Sequence, residues 1–142
     1  VEVDASFYAH KNHLIQGGLS IASYRFDFGE TEKTLPGVPS STANMGWTYK
    51  NNGWKVLING RFMGKYFANN SNTIGIDPYG LANLEIHKQF YYGSAFIELG
   101  CSVFNLSNTH YYDNIRINAF GNRFYEPAAG RNILFSLKTM FK

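Results

Sequence analysis

No uninterrupted apolar run in this 142-residue sequence is longer than three residues, although 44% of it is hydrophobic. A membrane-spanning helix needs about 20 consecutive apolar residues, so these residues cannot cross a bilayer as a helix. Cysteine is nearly absent. Cys101 stands alone, which excludes an internal disulfide framework and any multi-cysteine zinc site. Charge is also sparse: thirteen Lys and Arg against ten Asp and Glu leave a formal +3, spread along the chain with no basic cluster. Nucleic-acid binding, whose footprint is a concentrated basic patch, is therefore not expected. No nucleophile is paired with a His and an acid, and no phosphate-cradling Gly loop occurs, so an enzyme is not expected either. His10 and His13 have an HxxH spacing, but they flank a tight turn and are read as turn residues, not metal ligands. Cys101 sits between Leu99 and Val103 on an apolar face, where a thiol behaves as a small hydrophobe. No metal or cofactor is expected.

Apolar content that is high yet never accumulates must be periodic, and here the period is two, the spacing of a strand with one buried face. In residues 1–10, Val1, Val3, Ala5, Phe7 and Ala9 oppose Glu2, Asp4, Ser6, Tyr8 and His10. In residues 54–66, Trp54, Val56, Ile58, Gly60, Phe62, Gly64 and Tyr66 oppose Lys55, Leu57, Asn59, Arg61, Met63 and Lys65. The same alternation runs through residues 42–50, 95–104 and 132–141, and less cleanly through 14–28 and 79–90. Seven strands are expected. Their connections alternate in length. Lys11-Asn12-His13, Asn51-Asn52-Gly53 and Tyr91-Tyr92-Gly93 are tight, and Asn-Gly is a strong hairpin signal. Residues 29–41, 67–78 and 106–130 are long connections. In an up-and-down sheet the short turns then gather at one end and the long loops at the other, as in outer-membrane barrels.

A soluble barrel around an apolar ligand would show the same alternation inverted, so aromatic placement matters. Tyr49, Trp54, Phe90, Tyr91, Tyr92 and Phe141 fall near the short turns, whereas Phe62, Tyr66, Phe67 and Tyr79 fall near the long loops. Two such belts suit rings anchored at two headgroup layers. The opposite face carries Lys55, Asn59, Arg61, Lys65, Glu85 and His87, with Gln89, which favours a polar lumen over a greasy cavity.

Several segments resemble the C-terminal strands of TonB-dependent outer-membrane receptors. They are Val38-Pro39 leading into residues 42–49, Asn59-Gly60-Arg61-Phe62 with Gly64 and Tyr66, and Ile76-Asp77-Pro78-Tyr79 leading into residues 81–90. Val103-Phe104-Asn105-Leu106-Ser107-Asn108 with Tyr111 follows, and then Tyr125-Glu126-Pro127-Ala128-Ala129-Gly130-Arg131 leading into the last strand. The resemblance implies an all-β, antiparallel, up-and-down transmembrane β-barrel of 22 strands around an N-terminal plug. Residues 1–142 would be a C-terminal segment of that barrel domain, about seven strands, with the plug and the N-terminal strands lying outside this sequence. It further implies energy-coupled uptake of a scarce nutrient such as an iron-siderophore, haem or cobalamin ligand at the bacterial outer membrane. The implied partners are outer-membrane lipid, the rest of the barrel and its plug, the TonB energy-coupling complex through the N-terminal part, and the barrel-assembly machinery through the last strand. Members usually end on an aromatic residue, whereas here Phe141 is followed by Lys142.

The connection at residues 106–130 is richest in binding chemistry. Tyr111, Tyr112, Arg116, Arg123 and Tyr125 combine aromatic faces with cationic forks, which suits an anionic, partly aromatic ligand such as a metal chelate. Residues 69–72 read as a solvated loop tip. An alternative architecture is a complete small outer-membrane barrel of eight strands with a structural or adhesive role, counting residues 112–120 as the eighth.

Overall fold

The computed structural model describes residues 1–141, without the side chains of Phe28 and Asn122. The expectation attached to Lys142 lies outside the described residues. The strands, in chain order, are β1 Glu2–His10, β2 His13–Ile21, β3 Arg25–Phe28, β4 Thr31–Thr34, β5 Ser41–Asn51, β6 Trp54–Met63 and β7 Tyr66–Phe67. They continue with β8 Gly75–Ile76, β9 Tyr79–Tyr92, β10 Ala95–Phe104, β11 Tyr112–Ile115, β12 Tyr125–Pro127 and β13 Asn132–Phe141. Seven of them form one sheet in the order β1-β2-β5-β6-β9-β10-β13, and every pairing in it is antiparallel. Three two-stranded ribbons, β3-β4, β7-β8 and β11-β12, stand at the long-loop end.

The tight turns follow from turn chemistry. Asn51 pairs with Trp54, so the hairpin loop is the dipeptide Asn52-Gly53, with φ of 46° and 75°. Positive φ at both central residues is the type I′ requirement that matches the twist of the flanking strands. Among the described residues, all five non-glycine residues with positive φ are asparagines, the side chain that best tolerates the left-handed region. The tight turn expected at Tyr91-Tyr92-Gly93 lies slightly later. β9 runs on to Tyr92, and Gly93 supplies the positive φ.

Register assigns the faces. Antiparallel partners share a side of the sheet, so one face collects Phe7, Ile15, Leu19, Trp47, Val56, Ile58, Phe62, Leu84, Ile86, Leu99 and Leu137. The other collects Asp4, Gln16, Asn44, Lys55, Asn59, Arg61, Asn83, Glu85, His87, Glu98 and Lys138. The apolar face is bare. Ile58 is 42% exposed, Phe62 43% and Phe135 76%. Each Leu, Ile or Phe left in water forgoes about 1.5 to 3 kcal/mol relative to a buried one, so a continuous bare face of this kind belongs against hydrocarbon. The wall strands are 9 to 14 residues long, enough to cross the bilayer core when tilted.

Three expectations about the strands need correction. The second strand stops at Ile21 instead of Phe28, because Arg25–Phe28 turns back on Thr31–Thr34 around Gly29 and Arg25 pairs with Glu32 at 2.9 Å. The fourth stops at Met63, because Gly64 packs against the β5 start, where a Cβ would come within 2.5 Å of Ser41 Oγ. Tyr112–Ile115, counted toward an eighth wall strand, pairs instead with Tyr125–Pro127, so the small eight-stranded barrel is not the architecture.

Ile58 lies mid-strand on the bare face. In a full-length receptor in lipid vesicles, Ile58→Arg is expected to lower stability by about 2 to 4 kcal/mol and to reduce assembly, read as heat-modifiable gel mobility. Leu57→Arg, on the polar face, is expected to assemble normally. Equal tolerance of both would contradict the face assignment.

Candidate functional site

The water-type core of this chain lies not in the wall but at its long-loop end. Met63, Tyr66, Ala68, Ile76 and Phe124 are buried together, with Ile74, Tyr79, Ile115 and Ala119 packed against them. Met63 and Tyr79 are cross-strand partners on the polar side of the sheet. The cap formed by the loops therefore leans over the polar face, not the apolar one.

Asparagine side chains tie the loops into this cap. Asn69 Oδ1 accepts from the amides of Thr73 and Ile74, both at 3.0 Å, which closes the β7-β8 turn. Asn72 Oδ1 accepts from the Thr34 amide at 2.7 Å while its Nδ2 donates to the Thr34 carbonyl at 2.8 Å. Asn118 does the same on the other side, accepting from the Asn70 amide and donating to Asn70 Oδ1, each at 2.9 Å. The Gly37 amide donates to the Phe67 carbonyl at 2.8 Å, and the Asn118 amide to the Ala68 carbonyl at 2.9 Å. Residues 69–72, expected as a solvated tip, are half-buried and form the joint between two other loops.

Asparagine also explains the segment after β10. Asn105, 4% exposed with φ of 52°, donates its amide to Asn83 Oδ1 and its Nδ2 to the Thr109 carbonyl, and accepts from the Thr109 amide. Asn108 Oδ1 accepts from the Arg131 amide, which positions the start of β13. These are structural roles.

The ligand candidates divide. Tyr111 packs on Tyr79, with ring centroids 5.3 Å apart. Tyr112 and Tyr125 stack on each other at 4.5 Å. Arg116 Nε donates to Glu126 Oε1 at 2.6 Å, and Asn114 donates to the same carboxylate. The Asn114 and Arg116 hydrogen bonds, with the guanidinium charge, hold Glu126 below its ordinary carboxylate value. Arg116 and Arg123 line one open cleft of about 550 Å³ with Ala119, Phe120 and Gly121. Phe120, which is 97% exposed, was not among the expected residues; a Phe-Gly pair in mid-loop, where Gly121 takes a φ of 68°, was the available signal.

The expected wall residues are mostly brought together. Lys55 pairs across strands with His87, Asn59 with Asn83, and Arg61 with Asn44 and Leu81. His87 Nε2 is 3.5 Å from Glu85, its Nδ1 is 3.8 Å from Glu98, and Gln89 donates to Glu98. Gly100 makes the room, since a Cβ there would stand 2.9 Å from His87 Nδ1. Lys65 is not part of this group. It lies past the end of β6 with Nζ 5.6 Å from the centre of the Phe67 ring.

Of the aromatic set, Tyr49, Trp54 and Phe141 occupy the apolar face near the short turns. Trp47 donates to His13 Nδ1 at 3.2 Å beside Tyr49. Tyr91 is on the opposite face, edge-on to Phe96. Tyr66 is 8% exposed inside the cap, and that burial raises its phenol above the ordinary value. With Tyr79 also turned into the cap and Phe67 in the β7-β8 ribbon beside Lys65, Phe62 is the member of the expected long-loop belt that stays on the apolar face of the sheet.

A bare apolar face, a polar reverse, hairpins at one end and a packed loop cap at the other define a wall of a transmembrane β-barrel. The chain belongs to the TonB-dependent receptor-like β-barrel family, whose model ("TonB dependent receptor-like, beta-barrel") matches residues 1–106, and it is an outer-membrane protein. Among solved structures it is similar to the siderophore receptor PiuA from Acinetobacter baumannii, with a TM-score of 0.71 and 16% identity over 98% of this chain. It is also similar to the ferric citrate transporter FecA in the unliganded form, with a TM-score of 0.72 and 18% identity over 91% of the chain. The copper transporter OprC matches with a TM-score of 0.69 and 20% identity over 99% of the chain. The chain spans about a fifth of the length of these structures, 21%, 21% and 22% respectively.

If the cap is one cooperative unit, Asn72→Ala loosens the 106–130 loop, which it does not touch. The two hydrogen bonds lost to Thr34, at about 1 kcal/mol each, correspond to roughly thirtyfold faster exchange. That acceleration is expected at the Arg116 amide, whose own bond to the Phe124 carbonyl is untouched. Unchanged Arg116 protection in the variant would mean that the loops are independent.

Proposed function

We propose that residues 1–142 are a C-terminal stretch of wall and outer rim in a larger receptor barrel. The receptor takes up a metal or metal chelate by energy-coupled transport. The observation that carries this reading is the cap: a packed platform of long loops on the polar side of the sheet, with an open cleft lined by Arg116, Arg123 and Phe120 beside it. The apolar face meets lipid, and the polar face, with Lys55, Asn59, Arg61, Glu85 and His87, meets water or a plug domain. Arg123, with Arg116 and Phe120, forms the first contact for an anionic ligand, because a guanidinium fork suits carboxylate or catecholate oxygens and the ring offers an apolar surface. Tyr112 and Tyr125, stacked on each other in the β11-β12 ribbon, and Tyr111, packed on Tyr79, offer further aromatic surface on the same loop. The remaining partners are the TonB energy-coupling complex, engaged through the N-terminal part of the receptor, and the barrel-assembly machinery, which reads the last strand. An iron chelate is the favoured cargo, since two of the three named neighbours are described by ferric citrate or siderophore and the third by copper.

The test is uptake by cells expressing the full-length receptor and offered radioactive iron as ferric citrate or as ferric siderophores, or copper. Receptor-dependent accumulation of one of these is expected, stopped by a protonophore. Arg123→Glu should raise the half-saturation concentration about tenfold, the value of one charge-assisted hydrogen bond. Accumulation of none of them, or uptake indifferent to the protonophore, would overturn the reading.

A further inference from the structure

One cation interrupts the apolar face. Among the described residues of the seven-stranded sheet, Lys88 is the sole Lys, Arg, Asp or Glu on that side. It pairs across strands with Trp54 and Leu99. Its Nζ stands 4.9 Å from the centre of the Trp54 ring and donates to the Asn52 carbonyl at 2.8 Å. Both contacts fix the charge beside the Asn52-Gly53 hairpin, at the short-turn end, which in outer-membrane barrels is the periplasmic end.

The face is grooved next to this cation. An open cleft of about 600 Å³ runs from Trp54 and Lys88 along Ile86, Leu99, Cys101 and Phe135. Cys101, a short side chain between the cross-strand partners Ile86 and Phe135, leaves the depth. An apolar trough with a charge at its headgroup end has the layout of an amphiphile of opposite sign. A lysine that only snorkelled to water would not need the trough. The ammonium has three donors and gives one to Asn52, which leaves donors for a phosphate oxygen.

We infer that this groove binds one anionic phospholipid of the periplasmic leaflet, with its phosphate on Lys88 and an acyl chain laid along Ile86, Cys101 and Phe135. The inference rests on the apolar face being the lipid face, which Ile58→Arg tests separately. Lys88 does not enter that test.

The experiment is native mass spectrometry of the full-length receptor, released from mild detergent after exposure to phosphatidylglycerol or phosphatidylcholine. The wild type is expected to retain one phosphatidylglycerol with a preference of about fivefold, the worth of one basic residue at an anionic surface. Lys88→Gln should abolish that preference, and Lys88→Arg and the polar-face variant Lys138→Gln should keep it. Cys101→Trp, which fills the trough, should lower retention of both lipids. Retention in Lys88→Gln equal to wild type would overturn the site. So would free inorganic phosphate displacing the bound lipid, or a second receptor copy occupying the face in place of lipid. Should Lys88→Gln not assemble, Cys101→Trp decides: undiminished retention there would equally sink the proposal.

Discussion

A backbone amide or carbonyl left unpaired in hydrocarbon costs several kcal/mol, and the rest of this structure depends on that constraint. The wall meets it with a continuous antiparallel ladder from β1 to β13. All four prolines, which cannot donate to a ladder, fall outside the seven wall strands, at Pro36, Pro39, Pro78 and Pro127. The short reversals are hairpins, one of them with a register shift between Tyr8 and His10, and the side-chain period of two sorts the wall strands into an apolar and a polar face. From β2 to β10 every strand is paired on both sides, the outer edges of β1 and β13 having no partner strand among the described residues, and along that stretch lipid selects only the character of the outward side chains.

Two solvents therefore act on one chain. In the wall the apolar side chains need no partners, because acyl chains solvate them, and they stay exposed. Above the wall the solvent is water, and Met63, Tyr66, Ile76 and Phe124 cluster as in any aqueous core. Such a small core cannot by itself organise three long connections. Side-chain amides supply the remainder: Asn69, Asn72 and Asn118 each replace backbone partners the loops lack, and some adopt the left-handed geometry these sharp reversals need. A preformed rim of this kind costs less entropy when it meets a ligand than separate floppy loops would.

The wall was legible in the sequence because its physics is periodic. Strand number, hairpin positions and the faces of Ile58, Asn59 and Arg61 all follow from alternation and Asn-Gly chemistry. The cap was far less legible, because its determinants are contacts between segments distant in sequence, such as Asn72 with Thr34 and Asn118 with Asn70. Tyr66 counted as a membrane anchor by position along the chain, but Gly64 redirects it inward. Tyr91 lies one register step from the face that the belt requires. Lys88 was obscured because its strand alternates imperfectly: a cation on the apolar side and Leu81 on the polar side blur the period, and only the register with Trp54 resolves it.

The most direct measurement of the central claim, that one face of this sheet meets lipid and the other an aqueous interior, is a spin-label scan of β6. The labels are placed one at a time at Lys55, Val56, Leu57, Ile58, Asn59, Gly60, Arg61 and Phe62 in a full-length receptor carrying Cys101→Ser. Strict alternation is predicted, with Val56, Ile58, Gly60 and Phe62 relaxed by oxygen dissolved in the bilayer and Lys55, Leu57, Asn59 and Arg61 relaxed by a water-soluble nickel chelate. Uniform accessibility, or the reverse phase, would contradict it.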